Sequence, residues 1–106
     1  MRAAVTLLLA GLALGPGIAQ GRDPVAGKAR AAGICVTCHG ALGISTLPNA
    51  PHLAGQPAIY LVEQLRNYRS GKRVNDIMTV IAKPLTNAEI DDLAAWYASL
   101  KIAVSE

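Results

Sequence analysis

The chain of 106 residues contains no phenylalanine, one tryptophan and three tyrosines. With so few large aromatic rings, side chains alone cannot fill a generous interior, and a chain this short has little core to spare. Cysteine is as scarce, with Cys35 and Cys38 the only two. A bridge between them would close a tiny, strained loop, so no disulfide framework compensates for the small core. A structural zinc site is also disfavoured. It usually needs a second Cys or His pair at its own short spacing, and beyond His39 the chain offers only His52. No strand-like run flanks Cys35, which removes the βαβ setting of a thioredoxin-like redox pair. Internal repeats and low-complexity stretches are missing. Basic residues outnumber acidic ones by 10 to 7, yet no basic stripe interleaved with aromatics appears, which argues against nucleic acid as a partner.

The longest apolar run, Val5 to Leu14, is shorter than the roughly 20 residues a membrane-spanning helix needs, and Gly15-Pro16-Gly17 breaks it. Preceded by Arg2 and followed by the small residues Gly17-Ile18-Ala19, it reads as a secretory signal over residues 1–19, cleaved after Ala19. The expected product is one domain over residues 20–106, exported to the periplasm and not integral to the membrane. The alternative is retention as an anchor. Loss of Arg2 lowers the formal net charge from +3 to +2, so the basic balance of the whole chain overstates that of the domain.

The most informative residues that are present are Cys35-Val36-Thr37-Cys38-His39. Two thiols three positions apart, with histidine directly after the second, form the C-x-x-C-H signature of covalent c-type haem attachment. At this spacing both sulfurs can reach the two vinyl groups of one porphyrin, and the next imidazole can bind the iron as proximal ligand. Haem c, one per chain, would also supply the apolar volume that the side chains lack. The apo-chain is therefore expected to be largely unfolded. Export fits this chemistry, since bacteria attach haem covalently outside the cytoplasmic membrane.

The rest of the sequence predicts helices. Asp23-Pro24 reads as an N-cap followed by proline at the first helical position, opening a helix into the haem motif. Gly27 within it suits close approach of another helix. Gly40 to Gly55 reads as loop, stiffened by Pro48 and Pro51. A second helix is expected from Pro57 to Gly71, with Ile59, Leu61, Val62, Leu65 and Tyr68 on one stripe and Glu63, Gln64, Arg66 and Arg69 mostly opposite. Lys72 to Pro84 reads as irregular. Thr86-Asn87-Ala88-Glu89 is a capping-box pattern, opening a last helix that buries Ile90, Leu93, Ala94, Tyr97 and Leu100. The expected fold class is all-α, three main helices around one prosthetic group.

Met78 is the leading candidate for the second axial position. It is the only methionine after the initiator and lies between two helices with enough chain to wrap over the ring. A thioether opposite imidazole raises the reduction potential. Two strong ligands leave no open position, which favours an electron carrier over a catalyst. His52 is the rival ligand, or an exposed loop histidine. The carbonyl of Pro51, or of Pro48, could accept a hydrogen bond from His39 Nδ1–H and fix the ring. Lys72, Arg73 and Lys83 could steer an acidic partner, or form a solvated loop.

Cys35 to Gly40, Gly43, Pro48, Pro51-His52-Leu53-Ala54-Gly55-Gln56, Tyr60-Leu61, Gln64-Leu65, Gly71-Lys72-Arg73, Met78 and Leu85 to Leu100 together resemble the class I bacterial cytochromes c. The similarity is closest to one half of a dihaem cytochrome c4 and to single-haem cytochromes c553. It implies that first and last helices cross near Gly27 and Tyr97 and that one haem edge is exposed. It further implies Cys35 and Cys38 as attachment points, His39 and Met78 as axial ligands, and Pro51 as carbonyl partner of His39. The chain carries one motif where cytochromes c4 carry two. The small haem subunit of flavocytochrome c sulfide dehydrogenases is similar as well. The implied functions are thus a periplasmic shuttle between redox protein donors and acceptors, or the haem subunit of an oxidoreductase with a flavoprotein partner. An open-site gas sensor is the third reading, and no acid–base or nucleophile cluster remains for independent catalysis.

Overall fold

A computed structural model describes residues 1–8, 10–11 and 22–106. The expected cleavage point after Ala19 lies outside the described residues. Regular structure among them is entirely helical: α1 (Pro24–Ile34), α2 (Val36–His39), α3 (Ala58–Ser70), α4 (Met78–Ala82) and α5 (Asn87–Ser99). The all-α class with three main helices (α1, α3 and α5) therefore stands. Among the described residues no helix is long and apolar enough to cross a membrane.

The first helix starts where the sequence says it should. Asp23 Oδ1 accepts the N–H groups of Val25 at 2.9 Å and Ala26 at 3.3 Å. The N–H of Asp23 itself donates to Asp92 Oδ1 at 2.8 Å, which ties the start of α1 to α5. The two helices cross at Gly27. A Cβ on that residue would overlap the Asp92 carbonyl oxygen and lie 2.9 Å from Trp96 Cβ, so only glycine permits the approach. On α5 the crossing is thus made by Asp92 and Trp96, while Tyr97 turns toward the interior. Around the crossing, Ala31, Ile90, Leu93 and Ala94 are buried. Lys28 Nζ lies 5.3 Å from the Trp96 ring centroid, and Arg30 pairs with Glu89.

Thr86 and Glu89 form the capping box of α5 in both directions, at 3.0 and 3.1 Å. Its expected face is buried at Ile90, Leu93, Ala94 and Tyr97, with Leu100 half-buried. The third helix ends at Gly71, whose φ of 83° is the left-handed cap conformation. Arg69 donates to the Leu85 carbonyl at 2.9 Å and to Asn87 Oδ1 at 2.6 Å, which locks the end of α3 to the start of α5.

Three expectations need correction. Ile59 is 85% exposed rather than part of the buried stripe. Gln64, assigned to the outer face, lies among Leu61, Leu65 and Tyr68 on the inner one, because residues three and four apart share a helix face. The stretch from Lys72 to Pro84 is not all irregular either, since it contains α4. Asn75 accounts for that helix: its Oδ1 accepts the N–H groups of Ile77 and Met78 at 3.0 and 2.9 Å. Its own N–H donates to Thr79 Oγ1 at 2.9 Å.

Candidate haem-binding site

The C-x-x-C-H segment is a broken helix. After Ile34 the chain leaves α1 at Cys35 (φ −103°, ψ −36°) and re-enters helix for a single turn, α2. The Cys35 N–H still donates to the Ala31 carbonyl at 2.8 Å, and the His39 N–H donates to the Cys35 carbonyl at 3.0 Å. Helical spacing therefore governs all three functional side chains. Cys35, Cys38 and His39 line the same cavity, the thiols half-buried and the imidazole buried. Neither thiol is in a disulfide. Burial pushes the Cys35 thiol above its ordinary pKa.

His39 is held in one tautomer. Its Nδ1 lies 2.8 Å from the carbonyl oxygen of Pro51, and a carbonyl only accepts, so Nδ1 carries the proton and Nε2 the free lone pair. Of the two prolines considered, Pro51 makes this contact. The loop that presents it folds back on Gly43, whose carbonyl accepts the N–H groups of Leu53 and Ala54 at 2.7 and 3.1 Å. Gly43 has φ 72°, and a Cβ there would lie 2.8 Å from both Ala54 N and Tyr97 Cδ1. The Gly55 N–H donates to the Tyr97 carbonyl at 2.9 Å, which fixes the far end of the loop to α5.

His52 is exposed yet lies at the edge of the cavity. Its Nδ1 accepts the Ser45 N–H at 2.9 Å, so that nitrogen has no lone pair to spare. The Ser45 hydroxyl lies 2.9 Å from the Cys38 carbonyl, which connects this loop to the motif.

Met78 is the first residue of α4, half-buried, and lines the same cavity as His39. The two potential ligands thus come from separate elements that converge on one space of about 230 Å³. Its walls include Leu53, Leu61, Leu65, Ile77, Ile81, Leu85 and Leu93. The Tyr97 hydroxyl is buried there without a hydrogen-bond partner. Burial pushes the phenol well above its ordinary pKa, and neighbouring Cys35 adds to the effect. The same cavity is lined by Gln56, Tyr60, Gln64 and Arg73. Arg73 is exposed on the loop after α3, as expected, and also borders this cavity. The left-handed turn at Gly71 sends the chain back along α3, where the Arg73 N–H donates to the Asn67 carbonyl at 3.0 Å.

An apolar slot with two thiols and an imidazole on one helical turn and a thioether on another element fits a porphyrin and its iron. The orphaned Tyr97 hydroxyl likewise marks a space built for more than side chains. The fold and this site define the class: an all-helical protein of c-type haem attachment. The family model described as cytochrome c matches residues 24–101, and the chain belongs to the cytochrome c family. It carries haem c as its cofactor, and this sequence holds one attachment motif.

Cytochrome c4 of Thiocapsa roseopersicina is 49% identical over 77 residues, covering 73% of this chain and 40% of that protein. The thiosulfate dehydrogenase electron acceptor of Thiomonas intermedia is 46% identical over 69 residues, 63% of this chain and 31% of that one. The crystal structure of reduced recombinant cytochrome c4 from Pseudomonas stutzeri superimposes with a TM-score of 0.71 at 36% identity. The match covers 77% of this chain and 47% of the other. The chain thus spans about half the length, or less, of these relatives.

Proposed function

We propose that this chain is a periplasmic carrier of single electrons, holding its haem through Cys35 and Cys38 and ligating the iron with His39 and Met78. Bound haem supplies a one-electron ferric/ferrous couple. Everything else is done by the polypeptide. The Cys35 and Cys38 sulfurs hold the ring in thioether linkage. The Pro51 carbonyl keeps His39 Nδ1 protonated and turns Nε2 to the metal, and this hydrogen bond also raises the basicity of the ligating nitrogen. The Met78 sulfur favours the reduced iron and fills the position a substrate or gas would need. Leucine and isoleucine walls closed over a bound ring would keep water from it and limit the reorganisation that accompanies the change of charge.

The observation that carries this reading is the tautomer of His39 in a cavity shared with Met78. Met78→Ala tests it. The variant is expected to bind external ligands at the iron and to lose at least about tenfold in its reduced-to-oxidised ratio at fixed solution potential, about 59 mV for a one-electron couple. An unchanged potential removes Met78 from the site.

The similarity to an electron acceptor of thiosulfate dehydrogenase supports an oxidoreductase as donor, met either transiently or as a permanent complex. Gentle periplasmic extraction followed by size exclusion, with haem and flavin absorbance recorded together, separates these cases. Haem eluting alone at small size supports the free carrier. Haem and flavin co-eluting support a subunit of a flavin enzyme.

A further inference from the structure

We propose that Asn75 is the positioning residue for Met78, and that its clasp on the first turn of α4 sets how firmly the thioether stays on the oxidised iron. The inference rests on the His39 and Met78 reading of the cavity and names what holds Met78 in place. Burial does not hold it from the N-terminal side. Every residue from Ser70 to Ile77 is exposed, with Val74 at 77% and Ile77 at 52%, so the chain leading into Met78 packs against little. On the C-terminal side, full burial is reached only at Ala82.

Hydrogen bonds take over that task, and they centre on one residue. Asn75 Oδ1 accepts the N–H groups of Ile77 at 3.0 Å and Met78 at 2.9 Å. The Asn75 N–H donates to Thr79 Oγ1 at 2.9 Å, and the Thr79 N–H donates to the Asn75 carbonyl at 3.0 Å. Met78 and both its neighbours are thus tied to the same asparagine. Helix α4 has only five residues, too few to persist without satisfied N-terminal donors. A thioether favours the reduced iron, so the oxidised iron grips it less and the constraint from the chain matters most in that state. On a turn already ordered, Met78 returns to its position without a fresh entropic cost. On a loosened turn, an external ligand competes better for the same position.

The test uses ferric holoprotein at neutral pH, with imidazole as the external ligand and its binding followed in the haem absorbance. At saturating imidazole the observed rate reports departure of Met78 from the iron. Wild type should be slow and Met78→Ala fast, which checks the ligand reading by itself. Asn75→Ala should raise the limiting rate about fivefold, the ratio that loss of a helix N-cap typically carries. Asn75→Asp keeps an acceptor oxygen in the same place and should stay near wild type. Thr79→Val removes one bond of the clasp and should fall between. Thr86→Ala removes a cap of the same kind from α5 and should leave the rate unchanged, whereas a general loss of stability would move both. An Asn75→Ala rate equal to wild type overturns the proposal while leaving Met78 as ligand. Equal acceleration by Thr86→Ala, or an Asn75→Asp rate as fast as Asn75→Ala, overturns it as well. If Asn75→Ala yields no holoprotein, Thr79→Val decides, and an unchanged rate there overturns the proposal. A wild type as fast as Met78→Ala removes Met78 from the iron, and the proposal falls with that reading.

Discussion

The two sides of this small protein are closed in different ways. On the α1–α5 side, Ala31 and Ile90 are at most 1% exposed, and Gly27 lets the helix backbones meet. Nothing but the chain is needed there. On the α3–α4 side, several apolar side chains that face the cavity remain open even though Leu61, Tyr68 and Leu85 are buried: Tyr60 is 44% and Ile77 52% exposed, with Leu65 and Ile81 half-buried. Apolar surface left facing water contributes nothing to folding, and covering it is worth roughly 25 cal/mol per Å². One half of the molecule is therefore packed by side chains and the other by its prosthetic group. The absence of phenylalanine is the sequence counterpart of that division.

The largest effect expected from this contrast follows loss of the haem. Replacing Cys35 and Cys38 together with serine should abolish cooperative unfolding. Hydrogen exchange should show α3 and α4 unprotected while α1 and α5 retain the residual protection. Equal protection of both pairs would erase the contrast. Gly27→Ala attacks the other side. Alanine adds up to about 1 kcal/mol of helix propensity over glycine. The clash with the Asp92 carbonyl should outweigh that gain and leave the holoprotein destabilised by about 1–3 kcal/mol in urea. A more stable variant would mean that the crossing tolerates a side chain.

Smaller effects come from the start of α5. Thr86→Ala removes the N-cap and should cost about 1 kcal/mol, read in the same urea titration. The Thr86 N–H, followed by the Arg30 charge, lowers the pKa of Glu89 below the ordinary carboxylate value. A lowered folded pKa means that Glu89 contributes stability above its unfolded pKa, and that this is lost as pH falls through the folded value. Glu89→Gln should therefore lower stability slightly at neutral pH, leave it nearly unchanged at low pH, and so flatten the acid limb of the stability profile. A steeper acid limb would reverse the sign of this argument.

What was legible in the sequence was local. The haem motif, the Asp23 and Thr86 caps and the Gly71 terminator each depend on residues within a few positions, and each appears where expected. The buried face of α5 was legible too, because period and burial agree along its length. The misses share a cause. Ile59 and Gln64 sit on a helix that faces a cavity on one side and α5 on another, so a single apolar stripe does not describe it. Helix α4 depends on the Asn75 side chain, which competes with the backbone for the same N–H groups. That the exposed loop residue Arg73 also borders the cavity depends on the turn at Gly71, which sets the direction of the returning chain. Met78 stands out in the sequence by its uniqueness, and the cavity it shares with His39 needed the fold.

The most direct test of the central claim, an iron closed on both faces by His39 and Met78, is carbon monoxide binding to the reduced wild-type holoprotein at neutral pH. The account predicts no binding on the timescale of mixing, with rapid binding appearing in Met78→Ala. Rapid binding by the wild type would contradict it, and would make this an open haem protein rather than an electron carrier.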